Sequence, residues 1–165
     1  MDAIALLKQQ HREVEGLFEE FEKALKAGSD EETLRDVFAR IADNLAAHCS
    51  IEERIFYPSV YVGDTEDKLH EAVEEHLGAK RLIADLLDLS PADASFKAKM
   101  SVLKEQIEHH VEEEESDLFK SVRAMLTRQE LVTLGEQMRL EFDALIQTGP
   151  REQVPEETDE APSLE

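Results

Sequence analysis

Four histidines and two glutamates of this chain fall on helix faces that are otherwise apolar. In the segment IEHHVEEEESDLF, residues 107–119, the inward run goes Phe96, Met100, Leu103, Ile107, His110, Glu114, Leu118, in unbroken steps of three and four. A second segment repeats the pattern with Leu34, Phe38, Ile41, Leu45, His48, Glu52 and Ile55. Two further stripes carry one histidine each: Ile4, Leu7, His11, Val14, Phe18, and Leu69, Val73, His76, Lys80, Ile83. His109 lies about 100° round the helix from His110 and reads as a surface residue. Glu112, Glu113 and Glu115 read as a solvated face.

A carboxylate inside a core stripe is costly unless it is paired or bound to a cation. One histidine on an apolar face is ordinarily a satisfied core residue, and one His-x-x-x-Glu pair is an ordinary i,i+4 interaction. The combination is different: two such pairs and two single histidines, one set per helix, make a ligand set. Neutral imidazole and carboxylate suit divalent first-row metals. Four imidazoles with two carboxylates suit two ions better than one. If Glu52 and Glu114 both bridge, each metal has two nitrogens and two oxygens. An oxo or hydroxo bridge would add a fifth ligand, with positions left open for small molecules. A closed structural zinc site needs only four ligands.

The elements that must position these residues are helices. Asp2 caps the first, and Gly28 stops it. Ser29 or Asp30 caps the second, which ends near Pro58. Asp64 caps the third. Ser90 is the expected cap of the fourth, with Pro91 at its first position. TRQE at 127–130 is a capping box for a shorter fifth helix carrying Leu131, Leu134, Met138 and Phe142. The expected fold is all-α: an antiparallel up-down-up-down four-helix bundle with a short fifth C-terminal helix across it or on its side. At about 1.5 Å per residue, His11 lies roughly 25 Å before the first connection and His48 a similar distance after it. Glu52 and His76 are nearly level across the second. His76 and His110 come level only if residues near 91–96 form a longer loop or a bent entry.

The 165 residues fit one domain, read as a helical bundle over 1–148 and an acidic, disordered tail over 149–165. The formal charge of −21 argues against nucleic acid and anionic membrane surfaces as partners. The single cysteine, Cys49, allows no intrachain disulfide. No apolar run is long enough to span a membrane, and the N-terminal residues lack signal-peptide character. A reducing cytoplasm is the expected location.

With these residues in view, the sequence resembles the hemerythrin-like family, the HHE cation-binding domains. The matching pieces are QQHREVEGLFEEFE (His11), HCSIEERIFYP (His48, Glu52), VEEHLGAKRLIADL (His76) and HVEEEESDLF (His110, Glu114). They come in family order and span about residues 5–125. The resemblance implies a non-haem di-iron centre: two iron ions held by His11, His48, Glu52, His76, His110 and Glu114. It implies dioxygen, peroxide or nitric oxide as small-molecule ligand, and a place in oxidative or nitrosative stress handling. The activity this resemblance points to is peroxide decomposition at the di-iron centre. An iron- or oxygen-sensing module without turnover is the alternative, and a metal-free structural bundle is a third. Classical oxygen-carrying hemerythrins have a fifth histidine where this chain has Ala72, which argues against simple oxygen transport. Ferritin-like di-iron bundles use Glu-x-x-His, a different spacing.

Other residues have plainer readings. His70 reads as a surface residue, Cys49 as a packed boundary residue, and Lys80 as a side chain that snorkels to solvent. Phe56 and Tyr57 read as packing the end of the bundle, with Tyr57 as a hydrogen-bond donor to the site the lesser reading.

Overall fold

A computed structural model describes residues 1–165. The chain is helical throughout, with no strand. Helix α1 spans Ala3–Lys26, α2 Glu31–Ile51, α3 Tyr57–Ser59, α4 Glu66–Leu87, α5 Ala94–Glu113, α6 Phe119–Met125 and α7 Arg128–Ile146. Single π-helical turns, Glu52–Phe56 and Glu114–Leu118, join α2 to α3 and α5 to α6. A 3₁₀ helix covers Pro150–Glu157. No helix is long and apolar enough to cross a membrane.

Local chemistry sets most boundaries. The Asp2 carboxylate accepts from Ala5 N at 2.7 Å, and that of Asp30 accepts from Thr33 N at 2.9 Å. Gly28, at φ +69°, turns the chain into the left-handed region, and Ser29 N reaches back to Ala24 O. Thr127 and Glu130 form the expected reciprocal box at the start of α7. Two caps differ from expectation. Asp64 is exposed inside a 3₁₀ turn, Gly63–Thr65, and α4 begins one residue after Thr65. Ser90 and Pro91 lie in a turn closed by Asp93 N on Ser90 O, so Asp93 precedes α5. This later start lengthens the connection and shortens the path to His110, the direction needed for level histidines.

Apolar side chains form two cores rather than one. Ile4, Leu7, Ile51, Phe56, Tyr57, Leu69, Val73, Leu118, Phe119 and Val122 belong to the first. Val14, Phe18, Phe38, Ile41, Leu45, Ile83, Phe96 and Leu103 belong to the second. On every stripe the histidine falls at the break between them: His11 between Leu7 and Val14, His48 between Leu45 and Ile51, His76 between Val73 and Ala79, His110 between Leu103 and Leu118. The polar layer therefore separates two dry halves.

Helix α7 packs on α1 and α2 through Leu131, Leu134 and Met138. Residues 149–165, expected from composition to be a disordered tail, instead lie against α2 and α4. Val154 enters the second core and Leu164 the first. Arg151 binds Asp43 through backbone and guanidinium, and Arg81 donates to Thr158 O and Asp159 O. Two isolated apolar anchors and a few polar ties create no period, so the sequence pattern does not reveal the docking.

A Cβ on Gly135 of α7 would stand 2.6 Å from Met1 O and 2.7 Å from Ala3 N. Those atoms are backbone and cannot swing aside. Gly135→Ala should cost about 2 kcal/mol in urea unfolding; unchanged stability would show that α7 is not seated on the N-terminal residues.

Candidate metal centre

Each glutamate of interest begins a π turn. Tyr57 N donates to Glu52 O, and Phe119 N donates to Glu114 O, both five residues back. The extra residue in the turn brings position i+5, rather than i+4, over the glutamate. Tyr57 and Phe119 are consequently buried, while Ile55, expected inward, is half-buried. The sequence holds a signal for this: both glutamates are followed five residues later by an aromatic ring.

The six residues singled out from sequence all come together. Their exposure runs from 0% for Glu52 to 5% for His48. Each histidine has its Nδ1 held from behind. His11 Nδ1 lies 2.7 Å from Glu115 Oε2, His48 Nδ1 2.7 Å from Gln10 Oε1, His76 Nδ1 2.7 Å from Glu53 Oε2, and His110 Nδ1 2.9 Å from Glu75 Oε1. Each Nε2 points to the layer's centre. His11 Nε2 is 3.1 Å from Glu114 Oε1. His48 and His76 Nε2 are 3.1 and 3.2 Å from Glu52 Oε1.

These contacts decide the chemistry. An oxygen acceptor at Nδ1 fixes the proton there, so each neutral ring turns a lone pair inward. His76 and His110 then present two lone pairs to each other at 3.2 Å. His11 Nε2, His48 Nε2, both oxygens of Glu52 and Glu114 Oε1 have no hydrogen-bond partner. Unsatisfied buried polar groups cost about 1–3 kcal/mol each. Cations fit this donor set, because only an acceptor of lone pairs satisfies all of it. The donors form two groups within 4.8 Å: His11, His48, Glu52 and Glu114, and His76, His110 and Glu52. Glu52 is common to both. Glu114 reaches toward the second group with Oε2, 3.5 Å from His110 Nε2, and that oxygen also accepts from Tyr57 OH at 2.6 Å.

With no cation, protons are the available counter-charge. Burial works against a charged His76, but Cys49, Glu52 and Glu53 outweigh it and hold the ring well above its ordinary pKa. Burial likewise opposes charge on His110, and Glu114, Glu52 and Glu75 outweigh it. Burial disfavours the Glu52 carboxylate, yet the surrounding imidazoles, His48 first, hold it well below the usual range.

Several surrounding residues differ from their sequence readings. Glu115 is not merely a solvated side chain: it accepts from His11. Lys80 does not snorkel out. It is 5% exposed, with Nζ 2.8 Å from Glu53 Oε1, because the docked segment at 150–157 covers it and brings Glu157 to 3.4 Å. Tyr57 donates into the layer instead of only packing. Gln10 and Glu75 each precede a histidine and Glu53 follows Glu52, so all three lie off the apolar stripes and the helical period does not mark them. His70 and His109 are exposed, and Cys49 is buried, in keeping with their plainer readings.

Glu53 anchors both His76 and Lys80. Glu53→Ala should destabilise the chain by about 3 kcal/mol, because a buried lysine loses its main partner. Adding Lys80→Met should recover most of that loss in urea unfolding; no recovery would show that the pair is not a buried ion pair.

Comparison with known proteins places this site in a family. Residues 2–122 match the Hemerythrin HHE cation binding domain. A protein of Nostoc sp. described as a DNA nickase is 30% identical over 139 residues; the match covers 84% of this chain but only 37% of that relative. A solved Hemerythrin HHE cation binding domain-containing protein from Mycobacterium kansasii shares the fold, with a TM-score of 0.75 at 22% identity, covering 90% of this chain and 89% of that one. The matched residues take in all four histidines and both glutamates of the buried layer, and this chain belongs to the hemerythrin HHE cation-binding domain family.

Proposed function

We propose that the chain is a non-haem di-iron protein that binds or reacts with dioxygen, peroxide or nitric oxide. One observation carries the reading: five buried donor atoms without hydrogen-bond partners converge in a layer of four imidazoles and two carboxylates. His11, His48, Glu52 and Glu114 would hold one iron. His76 and His110 would hold the other, with Glu52 shared and Glu114 reaching across. The irons, when bound, supply one-electron redox change and open coordination positions. The four helices carrying these residues are proposed to alternate in direction, as their short connections suggest.

The chain's own residues do the rest. Gln10, Glu53, Glu75 and Glu115 fix the tautomer and orientation of the four rings, the usual task of groups behind ligands. Tyr57 OH donates a hydrogen bond to Glu114 Oε2 and lies 3.4 and 3.5 Å from His76 and His110 Nε2. The two apolar cores keep bulk water out. A cavity of about 20 Å³ against all four rings, bounded also by Leu45, Cys49 and Ile107, has room for one very small molecule. Ala72 lines a second cavity of about 270 Å³ that reaches His110 and Glu114. A side chain as small as alanine there supports an open position on the second iron and access from outside.

The alternative reading is an iron or oxygen sensor without turnover. Unpaired buried donors favour it too, since metal binding would relieve them and stabilise the fold. Nicking of DNA, named for the Nostoc relative, draws no support from a chain with 39 acidic residues against 18 basic ones.

Protein purified from iron-supplied cells should contain two irons per chain and show a near-ultraviolet charge-transfer band. Glu52→Ala should abolish both signals, and a metal-free wild-type protein would overturn the reading. Peroxide consumption by the loaded chain separates turnover from sensing.

Metal loading should also depend on pH. The raised pKa of His76 and His110 means that their imidazolium forms stabilise the metal-free fold at low pH, and that contribution is lost as pH rises through the folded pKa. Metal needs the neutral rings, so the melting-temperature gain on loading should be larger near pH 8 than near pH 5.5. An equal gain at both would show that these rings are not ligands.

A further inference from the structure

The donors of the buried layer are divided evenly. Each metal position has two imidazoles, and Glu52 and Glu114 face both. What stands behind the imidazoles is not even. Behind His76 and His110, the oxygens 2.7 and 2.9 Å from Nδ1 belong to the carboxylates of Glu53 and Glu75. Behind His11 the acceptor is again a carboxylate, that of Glu115. Behind His48 it is the neutral amide oxygen of Gln10, at 2.7 Å, and Gln10 is 5% exposed. All four acceptors orient a ring in the same way. Glutamine and glutamate have the same shape, so the amide stands apart by its charge.

The next groups outward widen the difference. Arg12 pairs with Glu115, and Lys80 pairs with Glu53. Glu75 has no such cation; its partners are His110 and the exposed His109. The His76/His110 position therefore has two carboxylates against one ammonium behind it. The His11/His48 position has one carboxylate against one guanidinium. The cavity that reaches His110 and Glu114 adds Glu71, Glu113 and Asp117 on the first of these sides, and its lysine, Lys68, is tied to Asp117 at 2.9 Å. On the other side, His11 lies parallel to the hydrocarbon ring of Phe119. The Tyr57 hydroxyl opposes the trend by drawing charge from Glu114 Oε2, but it is a single neutral donor. A carboxylate behind an imidazole makes the ring a stronger ligand, and negative charge near a metal favours its higher oxidation state.

We propose that Gln10 is a positioning residue that makes the two metal positions electrically unequal, so that the iron at His76 and His110 is oxidised first and the iron at His11 and His48 keeps its electron longer. Gln10 acts through His48 and touches no metal. The position reached by the acidic cavity is then also the one that loses an electron more readily. This inference deepens the proposed function and rests on the buried layer holding two irons.

Stepwise oxidation of the iron-loaded protein tests it. Redox mediators take one electron from the pair at each of two steps, and electron paramagnetic resonance follows the half-oxidised state at a fixed pH. Gln10→Glu puts a carboxylate behind His48 and should lower the upper step more than the lower one. The stability of the half-oxidised pair against disproportionation should fall about ten-fold, which is about 59 mV for one electron. Glu75→Gln keeps an acceptor for His110 Nδ1 but removes its charge, and should narrow the gap from the other end by raising the lower step. A loss of orientation alone would not move the two steps selectively in these opposite senses. If Gln10→Glu fails to load iron, Glu75→Gln decides the matter by itself. A gap left unchanged or widened in the loaded variants overturns the inequality and leaves the di-iron centre standing. Wild-type protein that takes up no iron overturns the centre itself.

Discussion

Two ring nitrogens 3.2 Å apart, each with its proton committed to a carboxylate on the far side, cannot satisfy each other. His76 and His110 are held in that position from behind, and the same device orients His11 and His48. The layer is thus arranged for something that accepts lone pairs from all sides. Everything else in the fold serves to keep this layer dry, level and fixed.

The cost of the layer falls on the apolar material above and below it. Burying six polar side chains is unfavourable unless packing elsewhere compensates. The chain supplies two cores, one on each side. The outer ends are reinforced: α7 seats against the first residues of α1, and the 150–157 segment closes over Lys80. The helices themselves yield at the layer. Both π turns start at a glutamate, and each converts a regular stripe into one that can present a carboxylate and, five residues on, an aromatic ring.

The two halves of the layer are related but unequal. Tyr57 follows Glu52 and sends its hydroxyl to Glu114, stacking on His76 at a 5.6 Å ring separation. Phe119 occupies the matching place after Glu114 and lies parallel to His11 at 6.1 Å. One side therefore has a proton donor and an acidic route to solvent, while the other faces a hydrocarbon ring. Two positions of similar donors in such different surroundings would differ in access and in reactivity.

Sequence alone determined the helices, the six converging side chains and the family, because these depend on a period of 3.6, on capping residues and on polar types at core positions. It also required a longer connection before the last histidine-bearing stretch, which Asp93 provides. The fold decided what no single helix contains. Gln10, Glu53, Glu75 and Glu115 acquire their roles only when a neighbouring helix brings a ring nitrogen to them, and Lys80 is buried where Glu53 and the distant segment at 150–157 meet it. The π turns lay between the two levels: their aromatic marker is in the sequence, but a one-residue slip in a hydrogen-bond ladder is fixed by tertiary packing. Periodicity reports which face of a helix avoids water; partners across helices are set by three-dimensional proximity, which no local pattern encodes.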